Sequence, residues 1–364
     1  MKVLQILPRV PPAVCGIGDY SWNLARQLRD EHDIHCSFLA AGTGRGVLAG
    51  EAEFPVFRLS ELTTAALVEF LAARRQDFDV VVLHLSVYGY QKRGVPLWLS
   101  SAWCRLSQMK GAPRLITMFH ELYASGPVSS SAFWLQPLQK RVLRDVALAS
   151  DSLRTNRQPY ADWLRNLPGL KDPEVVVMPV YSNFGEPLEL PLWEDREPAM
   201  ALFSWGIHSG ESLETVLLKA ADCGRRFGIQ RLHLIGGKEL TVSVPPGIEL
   251  VRHGFMAATA LSALLSSCRM AYSAYSPEHF GKSTLMAAFA AHGLVVITQG
   301  KTPVLPDGLQ AGVNVLNESS LGGAPGVDPQ HLAAISSAVH QWYQQHSLSE
   351  NARSYAAQIR AARV

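Results

Sequence analysis

The chain has 364 residues, beyond the size at which one hydrophobic core stops growing, so two domains of roughly 150 to 200 residues each are expected. Hydrophobic residues make up 48% and charged residues 18%, which excludes a disordered chain. The 33 Lys plus Arg against 31 Asp plus Glu leave a formal net charge of +2, so composition predicts no nucleic-acid partner, and any cationic site must be local.

Cys15, Cys36, Cys104, Cys223 and Cys268 are scattered and lack close metal-binding or redox pairs, which predicts reduced thiols in a cytoplasmic protein. The apolar run at the amino terminus is too short for a signal-peptide core, and Pro8 and Arg9 interrupt it. No run approaches the roughly 20 apolar residues that span a bilayer, although peripheral contact with the inner face of a membrane stays open.

Short apolar runs alternate with helical patterns along the chain, the signature of βαβ units and a mostly parallel sheet. The first half predicts strands at 3–7, 34–39, 79–85, 114–119 and 174–179. Between the first two, Tyr20, Leu24 and Leu28 recur at helical spacing behind a glycine-containing loop. Residues 186–199, rich in proline and acids, predict a linker between a domain at 1–185 and another at 200–364. The second half predicts strands at 200–204, 231–235, 248–251, 270–273 and 294–298, with helices at about 211–226, 258–267 and 282–292. One long helical stretch, roughly 329 to 362, follows, and its last part is expected to pack back on the first domain. The fold class is therefore α/β, with two Rossmann-like doubly wound parallel-sheet domains facing across a cleft.

In such sheets ligands bind beyond the carboxyl ends of the strands, where loops lead into helix amino termini that favour anions. That rule selects Gly16 and Gly18 after the first strand and His120 and Glu121 after the fourth. In the second half it selects Gly206, Gly237 with Lys238, Gly254 with Phe255, and the segment Glu278, Phe280, Gly281, Lys282 and Ser283. Gly281 would permit close backbone approach, Ser283 can cap the next helix, and Lys282 adds a point charge at its anion-favouring end. Together they predict a diphosphate cradle. His120 and Glu121 are the candidate catalytic pair, since an imidazole can bind a sugar hydroxyl or take a proton and a carboxylate can act as base. Tyr88, Tyr90 and Arg93 mix aromatic faces with positive charge, which suits an acceptor sugar or a headgroup. Asp77-Phe78-Asp79 precedes the strongest strand and reads as a turn, and no His or Cys spacing argues for a metal. Gly16-x-Gly18-x-x-Ser21 lies too far past its strand, behind Pro8, Pro11 and Pro12, to be a dinucleotide fingerprint.

The order of these segments resembles the family-4 glycosyltransferases of the GT-B fold over nearly the whole chain. The likeness rests on Gly16-Ile17-Gly18-Asp19-Tyr20-Ser21, His120-Glu121, Val180-Tyr181-Ser182-Asn183, Leu234-Ile235-Gly236-Gly237 and Phe280-Gly281-Lys282-Ser283 through Ile297. It implies a nucleotide-diphosphate sugar as co-substrate, held by the second half, and transfer of a hexose-type sugar to a glycan, lipid-linked or small-molecule acceptor. It further implies retention of configuration, no obligatory metal and no cofactor. On that likeness Gly16, Gly18, Lys282 and Ser283 meet the diphosphate, His120 the transferred sugar, and Gly254 and Phe255 the base. Residues 207–211 contain neither the Arg nor the Lys that the family commonly has there. Two other readings therefore stay open: a nucleotide-sugar epimerase, and a catalytically silent nucleotide-sugar or carbohydrate-binding protein.

Overall fold

The computed structural model describes residues 1–13, 15–42, 53–124, 126–170, 174–207, 210–237, 246–299, 304–321 and 328–361. The chain divides into two units, Met1–Met178 with Leu348–Val364, and Pro179–Ser347.

The first unit holds β1 (Lys2–Leu7), β2 (His35–Ala40), β3 (Val56–Arg58), β4 (Val80–Leu85), β5 (Arg114–Phe119), β6 (Ser152–Thr155) and β7 (Val175–Val177). They form one parallel sheet in the order β3-β2-β1-β4-β5-β6-β7, which reverses direction between β1 and β4. Every residue of β4 is buried, as an unbroken Val-rich strand covered on both faces requires. Helix Gly16–His32 follows β1 and buries Tyr20, Leu24 and Leu28, the residues its period selects.

The second unit holds β8 (Glu197–Phe203), β9 (Arg231–Ile235), β10 (Glu249–His253), β11 (Cys268–Ser273), β12 (Val295–Thr298) and β13 (Leu316–Asn317). Their order, β10-β9-β8-β11-β12-β13, repeats the doubly wound plan, and all the pairings are parallel. The switch point lies between β8 and β11.

Two boundaries differ from the sequence reading. The division falls at Met178, so the proline-rich stretch belongs to the second unit instead of linking two domains. Buried Arg196 anchors it: Nη1 donates to His292 O at 3.0 Å and Gly293 O at 2.9 Å, and Nε donates to Pro191 O at 3.2 Å. Nearby, Val180 N–H donates to Gly281 O at 2.9 Å. The long terminal helix is two helices, Pro329–Gln344 in the second unit and Leu348–Arg360 in the first.

The later helix completes the first unit's core. Tyr20 O–H donates to Asn351 Oδ1 at 3.3 Å, and fully buried Arg154 donates to Ser354 Oγ at 3.2 Å and Gln358 Oε1 at 2.9 Å. The Arg154 guanidinium also lies 3.7 Å from the centre of the Tyr355 ring, a cation over a π-face inside the protein. Among the described residues, no helix is long and apolar enough to cross a membrane.

Candidate functional site

In the first unit, β4, β5 and β6 end side by side, so their next residues are neighbours. His120 N–H donates to Leu85 O at 3.0 Å, Asn156 Nδ2 donates to His120 O at 3.2 Å, and Ser86 O–H donates to Glu121 Oε2 at 3.0 Å. The two predicted catalytic residues thus sit at a strand end, as the topological rule requires.

A buried chain of polar groups holds the His120 ring. His84 Nδ1 lies 3.0 Å from His120 Nε2, and His84 Nε2 lies 2.9 Å from Gln5 Oε1. An amide oxygen only accepts, so His84 carries its proton on Nε2 and leaves Nδ1 as an acceptor. His120 must then donate from Nε2, which leaves its own Nδ1 as a bare lone pair. The two rings stack with centroids 5.3 Å apart, and Tyr20 meets His120 edge-on at 5.1 Å. Burial pushes the His120 pKa down to about 4 against a smaller opposing pull from Glu121. Burial also drives His84 well below the usual range, helped by His120 and Arg154. Both rings are neutral near pH 7, so His120 can accept a hydrogen bond from a hydroxyl at Nδ1 but supplies no positive charge. His84 and Gln5 escaped sequence reasoning because both lie inside strands that read as core.

Gly16 opens helix Gly16–His32, and a Cβ there would meet nothing within 4 Å. Gly18 has a local role, because its Cβ would lie 2.7 Å from Arg9 O. Tyr88 is exposed and its hydroxyl accepts from Gln139 Nε2 at 2.9 Å, while Arg93 is exposed beside it. Tyr90 corrects the acceptor set. It has no exposed surface, and its hydroxyl lies 2.9 Å from His84 O and 3.1 Å from Ile6 O. A side chain so enclosed supports the histidine strand and cannot touch an acceptor.

In the second unit, the carboxyl ends of β8, β9 and β10 carry Trp205, Gly236-Gly237 and Phe255. Phe255 is 86% exposed and stacks with Trp205, with centroids 6.1 Å apart and planes 23° apart. The glycines make room for this pair. A Cβ on Gly236 would fall 2.3 Å from Trp205 Cζ3, and one on Gly237 would fall 2.7 Å from Phe255 Cε2. Gly236 also has φ of +124°, a conformation that side chains rarely adopt. Gly254, just before Phe255, has open space over it. Gly206, at φ of +78°, packs against Leu285, and both help line a small cavity with Trp205, Ile207 and Tyr275. Trp205 was missed beside the glycine that sequence reasoning selected. Lys238 lies outside the described residues.

The segment from Glu278 to Ser283 departs from the expected cradle. Residues Pro277–Lys282 form a 3-10 turn, with Phe280 only 1% exposed, Gly281 buried and Lys282 half-buried. Gly281 O accepts from Val180 N, and Ser283 N donates to Phe280 O at 2.9 Å, so these main-chain groups serve the turn. Ser283, also buried, caps helix Thr284–Ala291 by accepting from Met286 N at 3.2 Å. Phe280, Gly281 and Ser283 are thus structural. An anion here would meet the amino end of that helix and the Lys282 ammonium instead of a glycine loop. Glu278 is exposed on the turn. Among the described residues there is no group of three or more His, Cys, Asp or Glu side chains that could hold a metal ion.

No protein-family model matches the sequence, and no curated protein matches it. Solved structures do match over nearly the whole chain. TarM has a TM-score of 0.66 at 8% identity, covering 99% of each chain. An alpha-glucosyltransferase in complex with UDP-glucose and DNA containing an abasic site has a TM-score of 0.59 at 9% identity, again covering 99% of each. The lipopolysaccharide outer core galactosyltransferase WaaB, in its apo form, has a TM-score of 0.58 at 13% identity, covering 99% of this chain and 100% of its own. At such identities the likeness establishes the fold, which is that of the GT-B glycosyltransferases. It also overturns one expectation from composition. The glucosyltransferase was solved with DNA, so nucleic acid is a possible partner for this architecture and the expectation that excluded it does not stand.

Proposed function

We propose that the protein is a glycosyltransferase that takes a nucleoside-diphosphate sugar in its second unit and moves a hexose-type sugar to an acceptor hydroxyl. The observation that carries this reading is the exposed stack of Trp205 and Phe255 over Gly236 and Gly237, at the strand ends where open α/β sheets bind ligands. Flat exposed rings kept clear of side chains by two glycines suit a nucleobase, whose π-face stacks without regard to its polar edge. The diphosphate then meets the amino end of helix Thr284–Ala291 and Lys282, which stabilise the negative charge that grows as the sugar departs. In the first unit neutral His120 accepts a hydrogen bond from a substrate hydroxyl at Nδ1, and Glu121 lies at the same strand end. Retention of configuration and independence of metal belong to this reading through the family-4 resemblance.

The reading is tested by thermal shift and turnover with uridine, guanosine, thymidine and adenosine diphosphate sugars. Glycan, lipid-linked, small-molecule and DNA acceptors are offered in turn. Stabilisation by one donor, with sugar transferred to one acceptor class, is the expected result. Epimerised sugar or free nucleotide without an acceptor identifies an epimerase, and binding without turnover identifies a silent binding protein. A chain that none of the donors stabilises removes the proposal.

A further inference from the structure

The sheet of the first unit has a second concave end, opposite the carboxyl ends that carry His120. There the amino ends of β1, β2, β3 and β4 surround a cleft of about 450 Å³, lined among its residues by Lys2, Arg29, Phe54, Phe57, Asp77 and Phe78. That volume lies in the range that holds a small organic ligand. Its apolar wall is fixed by packing behind it: buried Phe54 meets Trp22 edge-on with centroids 5.0 Å apart and Phe38 at 5.5 Å, and Phe57 meets buried Phe78 at 6.4 Å. Rings held in this way favour another aromatic group in offset or edge-on contact.

Most charges of the lining are already spent on one another. Glu53 Oε1 accepts from Arg29 Nη1 at 3.0 Å, and its Oε2 accepts from Arg26 Nε at 2.8 Å and Trp22 Nε1 at 3.3 Å. Arg29 Nε goes to Asp30, which leaves Nη2 as its spare donor among the described residues. Within the same limits the Lys2 ammonium and the Asp77 carboxylate have no partner. These two charges stand close together, because Lys2 N–H donates to Asp79 Oδ2 at 2.8 Å and Asp79 N–H donates to Lys2 O at 2.9 Å. One uncommitted cation and one uncommitted anion beside an aromatic wall call for a ligand that carries both signs and a ring. We propose that the cleft is a second ligand site, for an aromatic α-amino acid whose ring lies against the phenylalanines, whose carboxylate meets Lys2 and Arg29 Nη2, and whose ammonium meets Asp77. Substrates of open α/β sheets bind at the other end of the strands, so the inference does not depend on the transferase reading.

Calorimetry on the full chain tests it with L-tryptophan, with indole-3-propionate, which lacks the ammonium, and with tryptamine, which lacks the carboxylate. L-Tryptophan is expected to bind about tenfold more tightly than either analogue. Lys2→Gln should weaken L-tryptophan about tenfold and leave tryptamine unchanged. Asp77→Asn should weaken L-tryptophan about tenfold and leave indole-3-propionate unchanged. Both residues are exposed and the main-chain bonds at both positions survive the changes, so each variant should keep the wild-type unfolding midpoint. The proposal is overturned if L-tryptophan gives no binding heat at about 10 mM. It is overturned equally by an analogue that binds as tightly as L-tryptophan, or by either variant holding L-tryptophan at wild-type affinity.

Discussion

The strand ends of the two units solve opposite problems. In the first, buried side chains Gln5, His84 and His120 hold one another in a single hydrogen-bonded arrangement. In the second, Gly236 and Gly237 remove side chains so that Trp205 and Phe255 can lie in the open. The first geometry fixes a proton's position and the second leaves a surface to be covered. Changes at the first should therefore appear mainly as lost stability, and changes at the second mainly as lost affinity.

Acid tests the buried side of this contrast most severely. His120 is held near pKa 4 by burial, as is His292 inside the second unit away from its strand ends, both below the ordinary value of 6.5, so between those limits the unfolded chain binds more protons than the folded one. Stability should be flat above pH 6.5 and fall as pH drops toward 4, by about 3 kcal/mol for each such histidine over the window. Urea unfolding at a series of pH values measures this, and a flat profile would mean that these rings are solvated. Next in size, His84→Leu strands Gln5 Oε1 and the His120 Nε2–H in the core and should cost about 2 to 4 kcal/mol at pH 7. Chemical denaturation reads that loss, and with the tautomer no longer set, any transferase turnover should fall too.

Phe255→Ala sharpens the other side. An 86% exposed ring should change stability by less than about 0.5 kcal/mol, yet weaken the nucleotide donor by about 1 to 3 kcal/mol in calorimetry if it stacks on the base. Unchanged affinity would make the ring a bystander. The smallest effect is expected at Ser283→Ala, which loses a helix cap worth about 1 kcal/mol and should leave donor affinity alone. A large loss of donor binding there would restore the hydroxyl to the phosphate site.

Much of the fold was legible because parallel strands buried on both faces write themselves as Val80-Val81-Val82-Leu83, and because glycine loops follow them at regular intervals. Strand β6 was not, since Arg154 in its middle contradicts a core strand until Ser354, Tyr355 and Gln358 are seen around it. The Glu186–Pro198 composition resembled a linker for the same reason: the buried Arg196 contacts that anchor it, at His292 and Gly293, are remote in sequence. At the candidate site, position along the chain found His120 and Phe255 correctly as strand-end residues. Local sequence could not distinguish a phosphate cradle from a 3-10 turn at Phe280-Gly281, nor foresee that Tyr90 points inward, because both depend on what packs over them.

The return of helix Leu348–Arg360 to the first unit has a bearing on biosynthesis. Domains usually complete themselves in order as they leave the ribosome, but here the side chains that hydrogen-bond and enclose Arg154 are translated only after all of the second unit. Until then a guanidinium destined for the interior lacks its enclosure, and a buried cation without compensation is strongly unfavourable. The nascent first unit must wait, incompletely closed, until the second unit and helix Leu348–Arg360 have emerged.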